Sequence, residues 1–302
     1  MFEWIGERNI MKNFRCDTRN NYYTTIDTTQ IYLDDVNKRV KILDSSNISI
    51  QTLEKIIYFS SMNTVGKIIC NSNEENLKIF IEAGFCIEGK IDRFFRGKDA
   101  FCMSYFIDSE RKNSVDSVEK DTLINQCLNI QNKYNVSCNN YPAYTIRTAT
   151  PEDVGEIIEL FSTVFSTYPT PVYDENYLRQ TMNGKILYKV AVLEGKIVGI
   201  ASADMDTDNL NAEMTDCATY SEHRGKGILS NIIYKLEIDL KNMNFISLYS
   251  LSRAINPSVN IVLSKLNYKY TGRLIQNCNI CGAFEDMNIW VKNINSGTAS
   301  NK

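Results

Sequence analysis

Apolar and polar residues alternate along this chain with two periods, and the second half carries the clearer record. Residues 144–147 alternate as a short strand does. Thr150, Pro151, Glu152 and Asp153 then form a helix start: Thr150 can cap, Pro151 suits the first turn, and two acids sit at the positive end. Val154, Ile157, Ile158, Phe161 and Phe165 follow at helical spacing. The Pro- and Tyr-rich loop 168–173 breaks that helix. Residues 189–193 are a strand, 194–196 its turn, and 197–203 the returning strand. Another strand, 212–220, runs into Arg224-Gly225-Lys226-Gly227. Ile228, Leu229, Ile232, Ile233, Leu236 and Leu240 then mark one face of an amphipathic helix. A strand at 246–251, a helix at 257–266 started by Pro257, and strands at 268–275 and 284–291 complete the series.

The first half shows the same kind of pattern more faintly. Residues 79–91 run from a helix end through Phe85 into a strand with Gly89, as residues 261–274 run through Tyr268 into a strand with Gly272. The stretch around Met103 parallels the stretch around Met287. A degenerate copy of one half-domain accounts for this, and so does chance likeness between two helix–strand–hairpin units. Residues 108–143 are polar and charge-rich, which predicts a linker with a helix near 123–128. The expected division is an N-terminal α/β domain at 1–110, a linker at 111–143, a second α/β domain at 144–292 and a fraying tail at 293–302.

Composition narrows the possibilities. At 302 residues the chain is long enough for two domains. Its net charge of -3 argues against nucleic acid as a partner. No apolar run approaches a membrane span, and charges interrupt the first residues where a secretion signal would need an apolar core. A cytoplasmic protein without membrane attachment is expected. Nine scattered cysteines fit reduced thiols better than a disulfide framework. The Cys278–Cys281 pair has no second ligand pair nearby, so no metal is expected. The sequence leaves oligomeric state open, a homodimer included.

The strand–loop–helix at 212–240 carries the strongest chemical signal. Glycines at a helix N-terminus let the backbone approach a ligand and aim several N–H groups at one point. Arg224 and Lys226 add positive charge. The loop suits a pyrophosphate, but its spacing matches neither a nucleoside triphosphate P-loop nor a dinucleotide fingerprint.

Element order and loop together resemble the GNAT superfamily of acetyltransferases, whose (Arg/Gln)-x-x-Gly-x-(Gly/Ala) loop binds acetyl-CoA. Arg224, Gly227 and Leu229 occupy those places, Leu229 departing from the pattern. The strings AEMTDCATY, HRGKG, YSLSRA and NCNICGAFEDMNIWV are similar to the beta-lysine N-acetyltransferase family, and so is the first half. The resemblance implies a GNAT-type mixed sheet with flanking helices, preceded by a smaller α/β domain. It implies acetyl-CoA as co-substrate, with Cys217, Ala218, Thr219, Arg224, Gly225, Lys226, Gly227, Ile228, Leu229 and Asn256 around it. The implied acceptor is the ε-amine of β-lysine, a small-molecule amine. Another amine, or an acetyl-CoA-binding regulator without turnover, are the rival readings.

An ammonium with a reference pKa of about 10.4 must lose a proton before it attacks a thioester. Glu213 and Asp216, on the strand feeding the loop, are candidate bases. Three positions apart, they face opposite sides of a regular strand, so only one can serve unless a bulge intervenes. The GNAT resemblance implies that a backbone N–H of this strand, at Cys217, Ala218 or Thr219, polarises the thioester oxygen. GNAT enzymes often place a tyrosine acid where this chain has Leu263, which leaves Tyr268 and Tyr270 as the nearby substitutes. Tyr168, Tyr173, Arg253, Glu285 and Asp286 are candidates for the acceptor pocket, with Arg273 as a second arginine for a carboxylate.

Overall fold

The computed structural model describes residues 21–131, 144–166, 168, 170–280 and 282–295. Residues 1–20, the later part of the expected linker at 132–143, Thr167 and Pro169 at the Pro- and Tyr-rich loop, Cys281, and the tail from 296 lie outside the described residues. The N-terminal half is β1 (Tyr22–Ile26), β2 (Thr29–Asp34), β3 (Arg39–Ile42), α1 (Ile50–Met62), β4 (Lys67–Ser72), α2 (Leu77–Glu82), β5 (Cys86–Phe95) and β6 (Lys98–Phe106). After α3 (Ser117–Ile130) come β7 (Thr145–Thr148), α4 (Val154–Val164), α5 (Glu175–Met182), β8 (Ile186–Leu193), β9 (Lys196–Asp206) and β10 (Asn211–Thr219). Then follow α6 (Ile228–Asn242), β11 (Ser247–Arg253), α7 (Pro257–Lys265), β12 (Lys269–Ile280) and β13 (Ala283–Asn293).

The strands among the described residues join one 13-stranded sheet, ordered β1-β2-β3-β4-β6-β5-β12-β13-β11-β10-β9-β8-β7. With β7 set aside, that order is the same from either edge: β1 answers to β8, β3 to β10, β4 to β11, β5 to β12 and β6 to β13. Each half has one parallel pair, β3–β4 and β10–β11, and a helix in each crossover, α1 and α6. The faint sequence repeat therefore coincides with a repeat of topology. The two halves share a sheet but keep separate helix-covered cores. Leu53 and Ile56 of α1 pack on Ile31, Val40 and Ile68. The stripe Ile228, Ile232, Ile233, Leu236 and Leu240 of α6 packs on Ala212, Met214 and Leu248. Burying each such side chain contributes roughly 1.5–3 kcal/mol.

The seam lies at the two glycines that the repeat singles out. Gly89 of β5 pairs with Gly272 of β12. A Cβ on Gly272 would overlap the Glu88 carbonyl and come within 2.5 Å of Gly89 Cα. One on Gly89 would come within 2.6 Å of Ile289 Cδ1. Close backbone approach here requires glycine on both strands. Gly272→Val is expected to lower stability by about 1–3 kcal/mol through overpacking, read as a fall in thermal midpoint.

Polar groups seal the same seam. Fully buried Lys67 donates to Glu88 Oε2 and to the Ile275 carbonyl, both at 2.7 Å. Buried Arg111 donates to the carbonyls of Asn37 at 2.7 Å and Gln276 at 2.9 Å. The segment expected as a linker is therefore partly structural. Its helix runs over Ser117–Ile130, longer than the apolar positions at 123–128 suggest. Lys120 pairs with Asp286 at 2.9 Å, and Gln131 Nε2 donates to the Tyr268 carbonyl at 2.6 Å.

Candidate active site

The parallel strands β10 and β11 form the frame of the site by parting. They pair only where Asn211–Glu213 meets Ser247–Tyr249, whereas β10 continues beside β9 as far as Thr219. At the fork, Ser250 Oγ donates to the Met214 carbonyl at 2.7 Å. Beyond it the strands diverge and open a cavity of about 1010 Å³. Asn260 holds the far arm: its Oδ1 accepts from Ser252, Asn288 and Trp290 at 2.8–2.9 Å, and its Nδ2 donates to the carbonyls of Arg253 and Asn256.

The glycine loop stands at one end of the opening. Gly225 and Gly227 adopt φ of 76° and 75°, the left-handed region that glycine enters without strain. Gly227 is the N-cap of α6, and no side chain caps that helix. Its first N–H groups and the helix dipole are directed at the loop, a favourable arrangement for an anion. Arg224 Nε donates to the Thr219 carbonyl at 3.1 Å, which fixes the loop to the end of β10. Among the described residues, Thr219 Oγ1 and His223 Nδ1 are buried without hydrogen-bond partners, and both residues line the cavity. Buried polar atoms of this kind call for a ligand or water.

Three carboxylates gather on the β9–β10 wall. Glu213 and Asp204 are directly opposite each other in the β10–β9 register. Asp216 joins them because the register shifts between Thr215 and Ala218 and Asp216 takes φ of 48°. This bulge turns into one cavity two side chains that a regular strand would send to opposite faces. Burial, reinforced by the charge of Asp204, raises the Glu213 pKa to about 7. Burial raises Asp216 to about 6, opposed by hydrogen bonding from Ser202, whose Oγ donates at 2.7 Å, and from the Tyr168 phenol. The Tyr249 hydroxyl beside Glu213 favours its charged form.

The expected site residues divide clearly. Glu213, Asp216, Cys217, Thr219, Arg224, Gly225, Gly227, Ile228, Leu229, Asn256, Tyr168 and Arg253 line the cavity. Ala218 is buried in the neighbouring core, and Lys226 is outside the lining. Tyr268 does not suit the role of acid: it is fully buried in the α6 core, its ring under the Lys292 ammonium and its hydroxyl near Glu237. Tyr173 is exposed, donates to the Phe165 carbonyl at 3.1 Å and does not itself line the cavity. Glu285 pairs with Arg253 at 2.6 Å but does not line the cavity, and Arg273 pairs with Asp121 at 2.8 Å. Asp286 is structural, bound by Lys120, Ser114 and the Gln276 N–H.

The sequence reading passed over Asp204, Tyr249 and the N-terminal residues Tyr32, Arg39 and Lys41, all of which line the cavity. No motif marks them. Among the described residues, no group of three His, Cys, Asp or Glu side chains could hold a metal, and no helix is long and apolar enough to cross a membrane.

A parallel pair forked at a bulge, fed by a strand–glycine loop–helix, is the architecture of a GNAT acetyltransferase, a class that uses acetyl-CoA. Residues 154–259 match the Acetyltransferase (GNAT) family. The chain is 38% identical over 247 residues to a beta-lysine N(6)-acetyltransferase of Methanosarcina mazei, covering 76% of this chain and 91% of that protein. It is 29% identical to a beta-lysine N(6)-acetyltransferase of Methanococcus maripaludis, covering 88% and 97%. It is 30% identical to the N-acetyltransferase YodP of Bacillus subtilis, covering 86% and 94%. The chain belongs to the beta-lysine N-acetyltransferase family of the GNAT superfamily.

Proposed function

We propose that this enzyme transfers an acetyl group from acetyl-CoA to the ε-amine of β-lysine, giving Nε-acetyl-β-lysine. The observation that carries this reading is the acidic wall of Asp204, Glu213 and Asp216, continuous with the glycine loop in one cavity. Acetyl-CoA supplies the activated acetyl group. The loop N–H groups and Arg224 hold its pyrophosphate, and Thr219 and His223 lie beside them. Glu213, with a pKa raised to about 7, takes the ammonium proton directly or through water. Backbone N–H groups of 217–219, beside the bulge, would polarise the thioester oxygen. Asp204 and Asp216 suit the second ammonium of the acceptor. The product is close to neutral, as a solute that accumulates without adding net charge must be. We infer a cytosolic setting, consistent with the free thiol at every described cysteine.

The test is CoA release by the purified full-length protein with β-lysine, α-lysine or spermidine. Preference for β-lysine by tenfold or more in kcat/KM is the expected result (about 1.4 kcal/mol). Equal rates on all three amines would overturn the acceptor assignment. No release with any of them, alongside tight acetyl-CoA binding, would overturn the catalytic reading.

A further inference from the structure

The N-terminal strands bury one face against α1 and α2 and turn the other toward the catalytic cavity. Tyr32 on β2, Arg39 and Lys41 on β3, and Ile69 and Asn71 on β4 line it. They alternate with Ile31, Val40, Ile42, Ile68 and Cys70, which face the helices. The seam at Gly89 and Gly272 holds this face opposite β10. One half of the molecule thus supplies the acidic wall, and the other supplies cations.

The two cations differ in what holds them. Arg39 is anchored on two of its three nitrogens: its Nε donates to Asp34 Oδ2 and its Nη1 to the Asn277 carbonyl, both at 2.8 Å. Asp34, steadied by the Asn37 amide at 2.9 Å, balances its charge. Lys41 is half-buried, with its ammonium 5.9 Å from the centre of the Tyr32 ring. That ammonium has no hydrogen bond or ion pair with any described residue. Arg39 beside it and partial burial both hold the Lys41 pKa down, while Asp34 and, across the cavity, Glu213 act the other way.

Buried charges are ordinarily paired. An unpaired ammonium beside a guanidinium, in a cavity whose far wall is acidic, is a place for an anion. Three groups of β-lysine must be matched, and only its carboxylate remains after the acidic wall has taken the two amines. We propose that Lys41 binds the acceptor carboxylate, so that the N-terminal half forms the specificity wall of the acceptor site. This inference rests on the β-lysine acetyltransferase reading. It also gives the first half a role that needs no glycine loop of its own: a sheet face that contributes one charge and closes the pocket.

The test compares β-lysine with pentane-1,4-diamine, the same molecule without its carboxylate, using full-length wild type, Lys41→Met and Lys41→Arg. Loss of one charged hydrogen-bonded contact corresponds to about a 10–100-fold change. Wild type should favour β-lysine over the diamine by that factor. In Lys41→Met the ratio should collapse through a raised KM for β-lysine, with acetyl-CoA affinity and thermal midpoint held, and Lys41→Arg should restore most of it. A Lys41→Met ratio equal to that of wild type, with wild type turning over β-lysine, overturns the Lys41 assignment and leaves the acetyltransferase reading standing. Weakened acetyl-CoA affinity with equal loss on both amines assigns Lys41 to a CoA phosphate instead. Failure of wild type to turn over either amine overturns both readings.

Discussion

Gly227→Val weakens acetyl-CoA binding by roughly 10–100-fold, the loss expected when one or more charge-assisted hydrogen bonds to a phosphate are removed. The reason is local. Gly227 adopts φ of 75° at the first turn of α6, where a β-branched residue carries a strain of about 1–3 kcal/mol. To relieve it, the loop must rotate, and the N–H groups that converge on the ligand then diverge. A side chain at that position also occupies space the pyrophosphate needs. Calorimetric titration with CoA gives the affinity, and the thermal midpoint shows whether the fold survives. Lys226→Ala separates backbone from charge. Lys226 does not line the cavity, so its loss should change affinity by less than about threefold, the scale of an exposed charge. Equal losses in both variants would show that net positive charge, not the shape of the loop, binds the ligand.

What was legible in the sequence follows the range of the interactions involved. The α6 stripe, the glycine loop and strand β10 are local patterns, and they occur where periodicity and capping put them. Helix α5 was missed because its sequence, ENYLRQTM, shows only Leu178 as a clearly buried aliphatic; Asp174 caps it by accepting from the Tyr177 N–H. The Asp216 bulge was not legible at all, because it exists only in the register of β10 against β9. Tyr268 and Asp286 carry suitable chemistry at suitable sequence distance, yet packing turns both away from the cavity. The N-terminal contribution was hidden for a further reason. Arg39 and Lys41 alternate with Val40 and Ile42, a pattern indistinguishable from an ordinary strand with one wet face. Only the Gly89–Gly272 seam, joining residues far apart in the chain, makes that wet face a pocket wall.

That wall bears directly on Glu213, the base we propose. Glu213→Gln lowers kcat by about 10²–10⁴-fold, the usual contribution of a positioned base. Four groups set the titration of Glu213: Asp204 from β9, Asp216 on its own strand, Lys41 from β3 and Tyr249 from β11. Burial and the two acids favour the protonated form; Lys41 and Tyr249 favour the charged one. The resulting value of about 7 means that the wild-type rate climbs about tenfold between pH 6 and pH 8 as Glu213 loses its proton. The glutamine variant loses this rise. Stability moves the other way. A carboxyl raised above its ordinary value of about 4.5 binds its proton more tightly in the folded state, so folding stability falls as pH rises from about 4.5 through 7. Glu213→Gln removes that decline, and its thermal midpoint should exceed that of wild type at pH 8. Opposite changes in rate and stability from one substitution are characteristic of a base held in an unfavourable environment for its task. A Glu213→Gln enzyme that keeps the wild-type pH–rate profile transfers the role to Asp216, with Asp216→Asn as the variant that must then lose the rise at about pH 6.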